Sequence, residues 1–279
     1  MKTRIIIDST ADLAAERKNR TLVVPLTVRF GEEEYLDGVS MDHVRFYEML
    51  VEREEIPTTS QASPHDFEQV YRRVREAGEE AVVLTVASGL SGTYQSAVIA
   101  AEDYPEIHVV DSGTVAIGTG VLVEYALQLA EQGMDAKALA AALTEIRSKV
   151  QLIAMVDTLE YLVRGGRLSK TAAVAGTLLN IKPVLCIRGG EIVPLGKARG
   201  SKQGNNLLVK EIEKAGGVDF SKPVLLGYTG LSDALLKKYV ADSAALWQGH
   251  ADCLQTEIIG SVIGTHAGPG AVAVAFFAP

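Results

Sequence analysis

Cysteine is nearly absent. Cys186 and Cys253 stand far apart with no second ligand near either, which excludes a disulfide framework or a zinc knuckle. Histidine is thin as well: five residues, His43, His65, His108, His250 and His266, with no HxxxH pair. No metal and no cofactor are expected from such a pattern. A basic surplus is missing too. Lys and Arg number 27 against 35 Asp and Glu, a net charge of −8, so a nucleic-acid-binding patch has no source and no such partner is expected. Long apolar runs are also lacking. VAIGTGVLVEYALQLA (Val115–Ala130) is interrupted by Glu124 and Gln128 and falls short of the roughly 20 apolar residues that a membrane span needs. The opening MKTRIIIDST enters a strand pattern with neither an apolar h-region nor a small-residue cleavage site. The expectation is a cytoplasmic protein without stable membrane insertion.

What is present is core material. Hydrophobic residues make up 47% and charged residues 22% of 279, enough for two domains of ordinary size. In the first half short apolar runs alternate with amphipathic segments. RIIID (Arg4–Asp8), AVVLTVA (Ala81–Ala87) and IHVVD (Ile107–Asp111) read as strands separated by helices, the spacing of an α/β parallel sheet with right-handed crossovers. Ser40 is placed to cap a helix over Met41–Arg53, and Ser63 with Pro64 opens another that stops before Gly78. The second half mixes hairpins with helices. QLIAMVD leads into TLEYLVRGGRLSK and an apolar helix to Asn180; PVLCIRGGEIVPLG turns through Gly189-Gly190, and two strands close around THAGPGAV. The fold expected is therefore an N-terminal parallel-sheet α/β domain, residues 1–155, and a C-terminal α+β domain, residues 156–279.

Ligands of open parallel sheets sit beyond the carboxyl ends of the strands. Asp8-Ser9-Thr10, Ser88–Thr93 and Asp111-Ser112 all fall at such ends. GLSGT (Gly89–Thr93) is one residue from the nucleophile elbow G-x-S-x-G, with Thr93 in place of the last glycine. Asp111 and His266 follow in hydrolase order, so a serine acyl hydrolase using Ser91 is one reading. A plain helix cap is another. An anion site of hydroxyls at a helix N-terminus is the third, and it fits best. The hydroxyls of PTTSQASP (Pro57–Pro64) matter only if Thr59 and Ser60 meet Ser91 in space. Asp8-Ser9-Thr10 reads as a local turn, and RGGRLSK (Arg164–Lys170) as helix capping and hinge. His266, in a glycine-rich loop between strands, is open to a ligand, and Arg199 of KARG gains interest only beside it.

DSTADL, TSQAS, SGLSGTYQSA, VDSGT, RGGRLSK, LLNIKPVL, KARG and THAGPGAV occur in this order. Together they resemble the DegV family of bacterial fatty-acid-binding proteins, from Ile5 to Phe276. The resemblance implies a two-domain fold with a long-chain fatty acid, such as palmitate, buried between the domains. It implies a carboxyl held by Thr59, Ser60 and Ser91, with Gly92 and Thr93 adding backbone or hydroxyl contacts and Arg199 and His266 near the head group. It implies a carrier with no catalytic residue of its own, presenting the acid to a separate fatty acid kinase for acyl-phosphate formation and phospholipid synthesis. Ala62 stands where relatives often carry proline.

Overall fold

The computed structural model describes residues 2–53, 55–169 and 180–279. The apolar helix expected to run to Asn180 crosses residues 170–179, outside the described residues.

The chain opens on β1 (Thr3–Asp8), α1 (Ala15–Lys18) and β2 (Leu22–Val24). It continues through β3 (Thr27–Phe30), β4 (Glu33–Leu36), α2 (His43–Glu52), β5 (Thr58–Ser60) and α3 (Pro64–Glu76). Next come β6 (Glu80–Thr85), α4 (Thr93–Ala101), β7 (Ile107–Asp111), α5 (Ile117–Glu131) and α6 (Ala136–Ile146). β8 (Val150–Met155), α7 (Glu160–Arg164), β9 (Ile181–Arg188), β10 (Glu191–Arg199) and α8 (Gly200–Lys214) follow. The chain ends with β11 (Leu225–Tyr228), α9 (Ala234–Asp242), β12 (Gln255–Ile258), α10 (Ser261–Ala267) and β13 (Val272–Phe277).

The parallel sheet expected of the first half is present, in the order β2-β1-β6-β7. The second half builds a six-stranded sheet, β10-β9-β8-β13-β11-β12, antiparallel except where β11 meets β12. β8 pairs there with β9 and β13. A small antiparallel sheet, β4-β3-β5, stands apart. α5 lies between the two large sheets: Ile117, Val121 and Leu122 share one core with Ile5 and Leu84 of the first and with Leu152, Ala273 and Ala275 of the second. Each of the valine, leucine and isoleucine side chains, fully buried, is worth about 1.5–3 kcal/mol. That shared core holds the two halves together, and the cavity described below opens within it. Two further cores lie behind the sheets, one under α2, α3 and α4, the other under α8 and α9 around Trp247.

Locally encoded features fold as the residues suggest. Ser63 and Asp66 form a reciprocal capping box on α3, with Pro64 in its first turn, and Gly78 follows at φ +65°. Three local expectations are corrected. α2 is capped by Asp42, whose carboxylate accepts from the Arg45 N–H at 2.9 Å; the Ser40 hydroxyl is engaged in the preceding turn, accepting from Leu36 N–H at 2.8 Å. Part of the PTTSQASP loop is a strand, because the edge of β3 pairs Val28 with Thr59 and gives β-branched threonines a ladder to join. The segment before Gly268 is helical, so His266 sits in the last turn of α10 and not in a loop between strands.

Candidate functional site

The site begins at the carboxyl ends of β1 and β6. Asp8, buried, accepts from Thr10 N–H at 2.9 Å, from the Thr10 hydroxyl at 2.6 Å and from Val86 N–H at 2.7 Å. Burial raises its pKa and the Thr10 hydroxyl bond opposes the rise. This Asx turn ties the two strand ends together and sets Thr10 on the wall of a cavity.

After β6 the chain turns through Ser88–Gly92 into α4. The Ser91 hydroxyl lies 2.9 Å from the Thr93 hydroxyl and accepts from Thr93 N–H at 3.2 Å. Gly92 holds the cap position, so Ser91 caps the helix from one residue further out. The Gln61 amide lies directly against Gly92, in the space a Cβ would occupy, so a side chain there would have to displace it. Gln61 itself donates to the Ser96 hydroxyl at 3.0 Å. The loop containing Thr59 and Ser60 is thereby locked to the first turns of α4.

Thr59 completes the junction. Its hydroxyl lies 2.9 Å from His266 Nε2. The imidazole packs on the α7 turn so closely that a Cβ at Gly165 would stand 2.2 Å from Nδ1, and Nδ1 has no hydrogen-bond partner. Burial, and secondarily the Arg167 charge, push the His266 pKa down to about 4, so the ring is neutral at pH 7. Arg167 donates to the Leu90 carbonyl at 3.2 Å and to the Gly165 carbonyl at 2.6 Å.

These groups close one end of a cavity of about 410 Å³, within the size range of small-molecule pockets. Elsewhere its wall is apolar, built from residues such as Leu152, Ala154, Leu185, Ile187 and Ala273 on the six-stranded sheet and Val115 before α5. A largely apolar space with hydroxyls, a neutral imidazole and one guanidinium grouped on its wall suits an amphiphile with an acidic head.

The structure brings Thr59, Ser60, Ser91, Gly92 and His266 to this one cavity. Thr93 is buried directly behind Ser91. Arg199 does not join them: it is exposed at the end of β10, outside the described lining. Sequence reasoning missed Thr10, Gln61, Gly165 and Arg167. RGGRLSK carried a signal in its paired cations and glycines, but a local reading stops at helix capping, whereas the Arg167 contact to Leu90 spans 77 residues.

The hydrolase arrangement is not assembled. Ser91 bonds to Thr93, and the histidine that would serve it is engaged by Thr59. Asp111 accepts from the Ser88 hydroxyl at 2.6 Å and from Gly113 N–H at 2.9 Å. Among the described residues no group of three or more His, Cys, Asp or Glu could hold a metal, and no helix is long and apolar enough to cross a membrane.

The whole chain is similar to known proteins. A family model described as "Uncharacterised protein, DegV family" matches residues 2–279. A DegV domain-containing protein of Caldanaerobacter subterraneus subsp. tengcongensis is 33% identical over 281 residues, covering 99% of this chain and 98% of that protein. Among solved structures, a fatty-acid-binding DegV family protein from Thermus thermophilus superimposes with a TM-score of 0.87 at 31% identity, covering 100% of both chains. The Streptococcus pneumoniae Fatty Acid Kinase (Fak) B3 protein, loaded with linoleic acid, matches with a TM-score of 0.86 at 25% identity over 100% of both chains.

Proposed function

The chain belongs to the DegV family, and from that premise we propose that it carries one long-chain fatty acid, its tail in the apolar cavity and its carboxyl at the hydroxyl end, for presentation to a separate fatty acid kinase. The observation that carries this reading is the single cavity on which Thr59, Ser60, Ser91 and His266 converge at the end of an apolar wall. Ser91 and Thr59 donate hydroxyl hydrogens to the carboxylate, Gly92 lets the backbone approach, and Thr93 orients Ser91. Arg167 adds charge from the rim. Arg199, exposed outside the cavity, acts at the surface where the kinase brings its nucleotide.

The energetics divide the labour. A sixteen-carbon tail gains on the order of 10 kcal/mol at about 0.8 kcal/mol per buried CH₂, while each charge-assisted hydrogen bond adds about 1.5–3 kcal/mol. The tail sets affinity and the head-group residues set orientation. Family membership and a fatty-acid-loaded neighbour named for a fatty acid kinase system support the carrier reading; the hydrogen bonds of Ser91 and His266 favour it over an acyl hydrolase.

Native mass spectrometry of protein from a bacterial host tests it. A copurified long-chain fatty acid, displaced by palmitate and weakened by Thr59→Ala with Ser91→Ala, is the expected result. A covalent adduct of Ser91 with an active-serine probe, or unchanged affinity in the double variant, overturns it.

A further inference from the structure

α10 carries His266 into the site, yet its own sequence supplies no cap. Gly260 occupies the cap position and no side chain of the local segment bonds there. The caps come from far away. Asp12 accepts from Gly260 N–H at 3.0 Å across 248 residues, and Asp37 accepts from Ser261 N–H at 3.3 Å across 224 residues. Both carboxylates are almost fully buried, and each keeps one oxygen without a hydrogen-bond partner.

Both are also fixed to the first half of the chain. The Asp12 N–H donates to the Ala116 carbonyl, and its own carbonyl packs so tightly on α5 that a Cβ at Gly120 would stand 2.0 Å away. The Asp37 N–H donates to the Leu26 carbonyl at 3.0 Å. Beside them the Tyr47 hydroxyl donates to the Ile259 carbonyl at 2.9 Å. A Cβ at Gly264 would stand 2.6 Å from the Tyr47 hydroxyl oxygen, so the helix also seats directly on α2. Although α10 lies between β12 and β13 in the chain, its position is set by residues near the N-terminus.

We propose that Asp12 and Asp37 are positioning residues for the head-group site: they seize the first N–H groups of α10 and thereby fix where His266 stands against Thr59. A helix needs only a local serine or asparagine to satisfy its first N–H groups. A cap from a distant, rigid segment does more, because it fixes the helix in space as well as satisfying it. Burying two acids is unfavourable for stability alone, and among the described residues neither has a lysine or arginine ion-pair partner; His43 Nε2 lies 3.9 Å from Asp37. The charged groups felt by Asp12 are Lys18, Asp37 and Glu257, and burial holds its pKa well above the usual carboxylate range. From Gly260 to His266 is about 9 Å along the helix, at 1.5 Å per residue, so a tilt at Gly260 is transmitted to the imidazole. DSTADL, a local turn when read as sequence, thus serves the site from behind it.

The proposal rests on the fatty-acid reading for its consequence but is tested without ligand. Asp12→Asn keeps an acceptor oxygen in place without a titratable carboxyl; Asp12→Glu keeps the carboxyl and moves the acceptor by one methylene. In ligand-free protein, imidazole NMR titration of His266 should stay near its wild-type value of about 4 in Asp12→Asn and rise toward the ordinary histidine value of about 6.5 in Asp12→Glu. Palmitate affinity, from fluorescent fatty-acid displacement, should fall about tenfold in Asp12→Glu and much less in Asp12→Asn. Asp37→Asn and Asp37→Glu should repeat the pattern. Ile212→Val, in the core behind the six-stranded sheet, provides a destabilised control whose His266 titration and affinity stay unchanged. A wild-type His266 titration in both Glu variants, or Asn variants impaired while Glu variants are normal, overturns the proposal. A shifted His266 with unchanged palmitate affinity supports the positioning role and counts against the fatty-acid reading instead.

Discussion

Gly165→Ala perturbs the proposed head-group site through its contact with His266. Gly165 ends α7 at φ −72° and ψ −6°, helical backbone that alanine adopts without strain. Through the unfolded chain the exchange even gains about 0.4–1 kcal/mol. The collision comes from the new methyl group, which would stand 2.2 Å from His266 Nδ1 and 2.8 Å from Cε1, with the Tyr161 carbonyl at 3.1 Å closing the other side. Non-bonded heavy atoms settle at about 3.5 Å or more, so the ring must retreat by roughly 1 Å. That displacement disrupts the 2.9 Å contact to Thr59 and with it the aim of the Thr59 hydroxyl at the proposed carboxylate, interactions worth about 0.5–1.5 and 1.5–3 kcal/mol. Fatty-acid affinity should therefore fall about 10- to 100-fold, or about 1.4–2.8 kcal/mol, with circular dichroism unchanged. Gly166→Ala is the matched control. Gly166 has φ +73° and open space around its Cβ position, so the exchange strains the backbone by about 1–2 kcal/mol, lowers the melting temperature and spares affinity. In a His266→Ala background Gly165→Ala should cost no further affinity, the coupling expected of residues in contact. Wild-type affinity in Gly165→Ala, or strictly additive losses in the double variant, would refute the reasoning.

Ala273→Leu adds bulk to the cavity wall on β13 and should weaken palmitate at least tenfold in a displacement assay while a shorter acid such as decanoate loses less. Delipidated protein should melt lower than protein as purified, and palmitate should restore it by mass action, whereas butyrate at equal concentration should not. His266 is held near 4 in the fold, by burial first and Arg167 second, against about 6.5 unfolded. Its neutral burial is fully compatible with folding above pH 6.5, and as the pH falls the unfolded chain takes the proton first, so up to about 3 kcal/mol drains away down to pH 4. The raised Asp8 and Asp12 act in the opposite sense, so the measurement is the wild-type melting curve minus that of His266→Gln between pH 7 and 4. Arg199→Ala should retain palmitate and lose acyl-phosphate formation with a cognate kinase; wild-type phosphorylation would remove it from the transfer step.

Legibility in the sequence followed distance along the chain. The capping box of α3 is complete within Ser63–Asp66, so adjacent residues announce it. The parallel sheet was readable because β1, β6 and β7 are short apolar runs with polar residues at their carboxyl ends. β5 was not readable: Thr58–Ser60 has no periodicity of its own and is a strand because β3 offers it an edge. α10 was missed because Gly264 and Gly268 depress local helix propensity, while the tertiary caps that compensate, Asp12 and Asp37, lie more than two hundred residues away. Arg167 was missed for the same reason: its partner at Leu90 is 77 residues distant. Convergence of Thr59 and Ser91 was readable only through the family resemblance, since the contact that joins their segments is Gln61 against the glycine at 92.

The proposed head-group end is sparingly charged, and that bears on the carrier role proposed above. Arg167 is the one lysine or arginine lining the cavity among the described residues, and its guanidinium already donates to the carbonyls of Leu90 and Gly165. His266 is neutral at pH 7. A carboxylate held there rests on the Thr59 and Ser91 hydroxyls, with the uncharged imidazole of His266 behind Thr59 and without a dedicated bidentate arginine, the arrangement that locks both carboxylate oxygens most firmly. With a tail gaining about 0.8 kcal/mol per CH₂, retention does not need such a lock. Phosphoryl transfer does need one carboxylate oxygen free to attack in line. If Thr59 and Ser91 hold the head group as proposed, with the Arg167 guanidinium engaged by backbone carbonyls, one carboxylate oxygen stays available, which is what the proposed handover to a kinase requires.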